Sequence, residues 1–285
     1  MKQFLLSISA AVLIIGTASA QEDQRDLGTT NKIGQNVLPA AGDIAIGVDA
    51  APFLKYIGNI FTDATNDAPN FEGPNSFLGG NTLFGKYFLT DKSAVRARVS
   101  FDFSTTGTTR TVTDDVAVAA DPTSEAEVTD KRTNKNNYLE IGLGYEKRRG
   151  YGRLQGYYGG ELITGFVSSS SKFSYGNAIT STNTNPSNAF GMGAIRTTSE
   201  KDGNTFFFGV GGFAGVEYFI APKISLGGEF GANIITGRQK DGKTTTERWN
   251  GTAVETKTAD DSKNKTSGFD FGTRTNGRLM VSFHF

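Results

Sequence analysis

Eight stretches of the chain carry apolar and polar residues in strict alternation, the period of a strand with one buried face. In "GDIAIGVD" Ile44, Ile46 and Val48 share a side, and in "NTLFGKYFLT" Leu83, Tyr87 and Leu89 oppose Lys86. The register is clearest in "SAVRARVSFDFS", where Val95, Ala97, Val99, Phe101 and Phe103 face away from Arg96, Arg98, Ser100 and Asp102. "NYLEIGLGYE" sets Leu139, Ile141, Leu143 and Tyr145 against Glu140 and Glu146; "GRLQGYYGGELITGF" sets Leu154, Tyr158, Leu162 and Phe166 against Arg153, Gln155, Tyr157 and Glu161. In the second half, Phe208, Val210, Ala214, Val216 and Tyr218 oppose Glu217, and Ile224, Leu226, Phe230 and Ile234 oppose Ser225, Glu229 and Asn233. The last segment sets Phe269, Phe271, Leu279, Val281, Phe283 and Phe285 against Asp270, Arg274, Asn276, Arg278 and His284. The alternation predicts eight antiparallel strands.

Alternation alone does not say which face is wet, because a soluble sandwich or a lipocalin-like barrel shows the same pattern. Three further features point to lipid outside. The connections alternate in length: "TDKS" (90–93), "KRRGY" (147–151) and "APK" (221–223) are tight, whereas 50–79, 105–136, 168–203 and 237–267 are long. All short turns then fall on one side with both termini, the arrangement of transmembrane barrels with short periplasmic turns and long extracellular loops. The apolar face is rich in Phe and Tyr near strand ends, as interfacial girdles require. Finally, the chain stops on "GRLMVSFHF", an apolar strand that gains nothing by facing water and is covered if it closes a barrel in lipid.

The start of the chain agrees with this destination. Residues 1–20, "MKQFLLSISAAVLIIGTASA", have an early cation, an apolar run too short to span a bilayer, and small residues at Ala18 and Ala20, the pattern of a cleaved secretory signal peptide. Residues 21–39 are polar and are expected to be flexible, and 40–285 form the barrel domain. The absence of cysteine excludes a disulfide framework and a lipoprotein anchor. Balanced charge, 29 Lys+Arg against 29 Asp+Glu, argues against nucleic acid or an anionic lipid surface as the main partner.

With the signal peptide, the alternating strands and the terminal "VSFHF", the chain resembles the eight-stranded outer-membrane β-barrel proteins of the OmpA/OmpX type, and "AGDIAIGVDAAPFLKYIGNIF" is similar to the start of such barrels in Bacteroidetes-type bacteria. The likeness covers about residues 40–285 and includes no peptidoglycan-binding domain. It implies an all-β, up-and-down transmembrane barrel in the outer membrane of a Gram-negative bacterium. The partners implied are outer-membrane lipids and lipopolysaccharide, the barrel assembly machinery, and an extracellular protein or glycan.

Eight strands enclose an interior just wide enough for side chains. The inward set Lys86, Arg96, Arg98, Arg153, Arg274 and Arg278 faces Asp102, Glu140, Glu146, Glu161, Glu217, Glu229 and Asp270, which reads as a mutually neutralising network filling the lumen, since isolated buried charges are costly. An ion path lined by the same charges is the alternative. Glycines such as Gly209, Gly211, Gly215, Gly227 and Gly231 make room for long neighbours or relieve strand crowding. The single histidine, His284, lies inward at a strand end, so no catalytic residue, cofactor site or metal site is assigned; Asp114–Asp115 and Asp260–Asp261 lack the ligand spacing of a calcium loop. Among the loops, 110–129 is Thr/Val-rich and suits strands that extend above the membrane. Asn250–Gly251 predicts a type I′ hairpin with Trp249 beside its tip, a candidate contact for a partner. "APFLKYIGNIF" (51–61) has helical apolar spacing, and Phe283 and Phe285 form the C-terminal barrel signal. The function read from these features is a structural, surface-interacting barrel without enzymatic activity; the alternative is a small, porin-like passive pore for ions or small solutes.

Overall fold

The computed structural model describes residues 36–49, 82–191, 194–261, 267–272 and 278–285; residues 1–20, expected to be a signal peptide, the segment 51–61 with its helical apolar spacing, and Arg274 lie outside them. Among the described residues there are twelve antiparallel strands and one short helix: β1 (Ile44–Asp49), β2 (Thr82–Thr90), β3 (Ser93–Thr113), α1 (Asp115–Ala120), β4 (Glu127–Tyr151), β5 (Leu154–Ser174), β6 (Ile195–Lys201), β7 (Thr205–Ala221), β8 (Ile224–Gln239), β9 (Gly242–Trp249), β10 (Val254–Asp261), β11 (Ser267–Gly272) and β12 (Arg278–His284). Eight of them close on themselves in the order β1, β2, β3, β4, β5, β7, β8, β12. Closure runs through β1 and β12, from Ala45 opposite His284 to Asp49 opposite Met280, and is completed by two hydrogen bonds between Ile44 and Phe285. The terminal Phe285 is thereby fixed in the sheet while remaining 72% exposed.

Three two-residue turns share one rim of the ring with the start of β1 and the end of β12. One is not where the sequence suggests. "KRRGY" continues β4 to Tyr151, and the reversal is made by Gly152 and Arg153, Gly152 taking φ 57°. At the β7–β8 turn Lys223 adopts φ 61°, an uncommon conformation for a residue with a Cβ. It is held by its N–H donating to Val37 O, its C=O accepting from His284 N, and its ammonium pairing with Asp43.

The N-terminal stretch is described only from residue 36, and there Val37 and Leu38 are buried against Phe219 at this rim. Apolar residues at the close of an otherwise polar segment bury where a cavity mouth is open to them.

At the opposite rim the strands outrun the ring. A tilted membrane strand needs roughly 9–11 residues, whereas β3 has 21 and β4 has 25. They pair along their whole projecting length, and β5 passes the sheet on to β6, β9 and β10. Of the regions predicted as long loops, 105–136 and 237–267 are therefore mostly sheet where described and 168–203 is sheet at its two ends, while 50–79 lies outside the described residues. The β9–β10 hairpin has a four-residue loop, 250–253, instead of the predicted two-residue type I′ turn. The Asn250 side chain accepts from Thr252 N and Ala253 N, and this local bonding draws the turn two residues wider.

Candidate functional site

The ring is apolar outside and charged inside. Outward side chains such as Leu143 (59% exposed), Leu162 (56%), Phe230 and Val216 stand clear of all packing, while inward Lys86, Arg96, Arg98, Glu140, Glu146, Glu161, Glu217 and Glu229 are buried. Strand parity produces both sets at once, because every inward position is flanked by two outward ones.

Ion pairs knit the inward set across the lumen. Arg96, on β3, grips Glu229, on β8, with two parallel bonds (Nη1–Oε2 2.6 Å, Nη2–Oε1 2.9 Å) and reaches Glu161 at 3.5 Å. Arg98 pairs with Glu140 and, at 2.9 Å, with Glu161, while Lys86 lies 3.0 Å from Glu146. Gly142 and Gly144 make this possible: a Cβ on either would press on the Arg98 or Arg96 side chain at 3.2 Å and on Glu161. These, and not the glycines of β7 and β8, leave room for the guanidinium groups; Gly215 instead accommodates the Tyr157 ring. Beneath the charges Phe84, Tyr157, Phe213 and Met280 form an apolar layer, with the Arg96 guanidinium 3.7 Å over the Phe213 ring. A carboxylate removed from water is tolerable only when such partners satisfy it, and here each arginine is shared between two or more.

Not every predicted member joins. Asp102 is half-buried opposite Tyr138 and has no ion pair among the described residues. Arg153 sits in the β4–β5 turn and donates to the carbonyls of Phe219 and Ile220, because the reversal falls at 152–153, later than the sequence suggests, and β5 begins only at Leu154. Asp270 and Arg278 hold strand positions opposite Ile235 and Glu229. One member was missed. Arg148 is buried and bonds Glu146 (3.2 Å) and Glu217. Its inward parity with Glu146 was the available signal, masked by reading "KRRGY" as a turn.

His284 closes the network at the short-turn rim, between the rings of Phe88 and Phe219. Its Nε2 is 3.1 Å from Ser225 Oγ and 3.4 Å from Glu217 Oε1, and Ser225 itself donates to Glu217 at 2.5 Å. The residue types are those of a catalytic triad, but the geometry is not. A relay needs one ring nitrogen on the serine and the other on the carboxylate, whereas here one nitrogen faces both and all three groups are buried.

The projecting sheet has its own polar core. Fully buried Asp130 accepts from Gly176 N and Ala189 N, both at 2.8 Å, and Asn177 donates to Thr113 O and Ser187 O. Arg196 links Asn177 O (2.7 Å) to Glu247 (2.6 Å). Asp114 caps α1, and Asp115 accepts from Asn183 and Ser187 N, so both carboxylates are occupied by protein donors. Burial acts to raise the Asp115 pKa, but these hydrogen bonds outweigh it and hold the carboxyl below its usual range. Trp249 ends β9 beside the hairpin loop and is half-buried. Phe283 points outward from β12, 45% exposed.

No family model matches the chain, and no curated protein matches it. Among solved structures it is similar to a major outer membrane protein from Thermus thermophilus, at 12% identity, covering 87% of this chain and 100% of that one with a TM-score of 0.36. A likeness at that level carries no argument about fold or role.

Proposed function

We propose that the chain is an outer-membrane β-barrel whose lumen is closed by its own side chains, and that it serves as a scaffold holding a rigid sheet above the outer surface, with no catalytic step. The observation that carries this reading is the inverted polarity of the ring. Exposed leucine, valine and phenylalanine on every outward strand would be untenable in water, and buried, paired charges inside are what a membrane barrel of this size holds. In hydrocarbon every backbone group must find a partner within the protein, which a closed ring provides and an open sheet does not. The aromatic residues fit the same picture: Tyr87, Tyr145, Tyr158 and Tyr218 lie outward toward the short-turn rim and Phe103, Phe206 and Phe208 toward the other. With β12 as the closing strand, Phe283 and Phe285 are the residues offered to the assembly machinery.

A scaffold is favoured over a passive pore because cross-lumen pairs and the packed Val37–Leu38–Phe219 plug occupy the passage. The experiment is electrophoresis in SDS with and without boiling, followed by conductance of the folded protein in a planar bilayer. The reading predicts a heat-dependent mobility shift and no steady conductance. A shift accompanied by stable channels assigns the pore, and a protein recovered soluble without any shift ends the membrane reading.

A further inference from the structure

Outward positions just above the membrane-facing part of the ring carry an unbalanced cluster of lysines. The pairings set the rows. Phe101, Leu139, Phe166 and Phe206 stand side by side across β3, β4, β5 and β7 as the uppermost apolar row. Two outward steps higher, roughly 10 Å along the tilted axis, Lys135 faces Ser170, which faces Lys201 on β6. One step above that, Lys172 lies between Thr133 and Ser199, and the next row places Lys131 beside Ser174. Lys172 is thus diagonal to Lys131, Lys135 and Lys201, a separation of about 7–8 Å between neighbouring strand positions. All four are exposed, and among the described residues none has an ion pair. Above the apolar row as far as Lys131, the outward positions of β3, β4, β5 and β6 hold Phe103 and otherwise Ser, Thr, Asn, Gly and Lys, and no carboxylate. The acids of these strands at this height, Asp102, Asp130 and Glu200, are on the opposite face, and beyond Lys201 the row continues to Lys243, which pairs with Asp260 at 3.8 Å. The near-zero net charge of the whole chain thus conceals a locally basic outer surface on β4, β5 and β6.

Like charges at such spacing repel, and they do so at the depth where lipid head groups begin. We propose that this patch binds the phosphorylated head group of an outer-leaflet glycolipid, the acyl chains lying on the apolar row below and the lysines closing on phosphate. Long lysine stems suit the task, since their methylenes cover apolar surface while the ammonium groups stay at the polar boundary. The flanking serine and threonine hydroxyls provide donors for sugar and phosphate oxygens. The partner is a lipid and not a soluble polyanion because the patch is continuous with the lipid-facing belt: the Lys240 ammonium lies 5.3 Å from the ring of Phe206, in the apolar row itself.

This inference rests on the membrane reading, and the test separates the two. The full chain, processed and folded in neutral micelles, is titrated with diphosphorylated lipid A and with the same lipid stripped of phosphate, and retention is read by native mass spectrometry beside the SDS mobility shift. The wild type should retain the phosphorylated lipid preferentially. Combining K131Q, K135Q, K172Q and K201Q should weaken that retention at least about tenfold while leaving the mobility shift intact, and K92Q with R149Q at the other rim should change neither. Equal retention of the two lipids, or an unaffected quadruple variant, with the shift present, overturns the proposal alone. A wild type without the shift removes the membrane reading and this proposal with it.

Discussion

The ring and the projecting sheet share strands β3, β4 and β5, yet they solve the problem of burial in opposite ways. In the ring, charge is inside and hydrocarbon outside, and each inward arginine is held by carboxylates from other strands, as Arg96 is by Glu229. Above it the outward face turns to lysine and hydroxyls, and the interior is built from amide and backbone bonds around Asp130, Asn177 and Arg196. The pattern changes at about Phe103 on β3 and Asn137 on β4, which on the proposed reading is the boundary of the apolar phase.

The sharpest way to break the comparison is to place one cation on each side of the boundary. Leu162→Arg, in the middle of the exposed apolar belt, should cost about 2–4 kcal/mol of folding free energy in lipid vesicles. The same residue at Thr111, on the outward face of the upper sheet opposite Thr129, should stay within about 0.5 kcal/mol. Urea unfolding followed by the mobility shift checks both, and equal costs would erase the distinction.

Removing one partner from the lumen comes next. Glu229→Ala leaves Arg96 without its two-bond carboxylate in a closed space, so about 3 kcal/mol should be lost, read from the same unfolding curves. The corresponding change above, Asp130→Ala, strands two backbone donors and should cost about 1–3 kcal/mol, confined to the loop they anchor. Hydrogen exchange should then rise at 175–191 while the amides of β7 and β8 keep their protection.

The smallest expected effect is a response to acid. The folded pKa of Asp115 is held down, so its contribution is complete above its unfolded value near pH 4 and is lost as pH falls through the lower folded value. Exchange of the Ser187 amide should therefore be constant from neutral pH to about pH 4 and accelerate beyond the intrinsic pH dependence only below that.

What was legible in the sequence follows from these physics. A period of two survives in β3, β4, β7, β8 and β12 because one face is exposed and apolar and the other lines a filled interior, and parity alone sorts Lys86, Arg96, Arg98, Glu140 and Glu217 to one side. Which carboxylate meets which guanidinium was not legible: Arg96 and Glu229 are 133 residues apart and meet through the stagger of the closed ring. Strand β6 escaped notice because both its faces are largely polar, so no alternation marks it, whereas β9 and β10 were legible as the arms of the hairpin at Asn250–Gly251. Arg148 was hidden by glycine and neighbouring charges that imitate a turn, and Val37 and Leu38 by the polar stretch they end.

The central claim, that the outward belt faces lipid, is tested most directly by fluorescence. The chain has a single tryptophan, Trp249, in the upper sheet, and Leu162→Trp in a Trp249→Phe background moves it to the belt. In vesicles whose acyl chains carry bromine near the bilayer centre, the account predicts strong quenching of the tryptophan at position 162 and none of native Trp249. Unquenched emission at 162 from the folded protein would contradict it and return the apolar face to the interior of a soluble assembly.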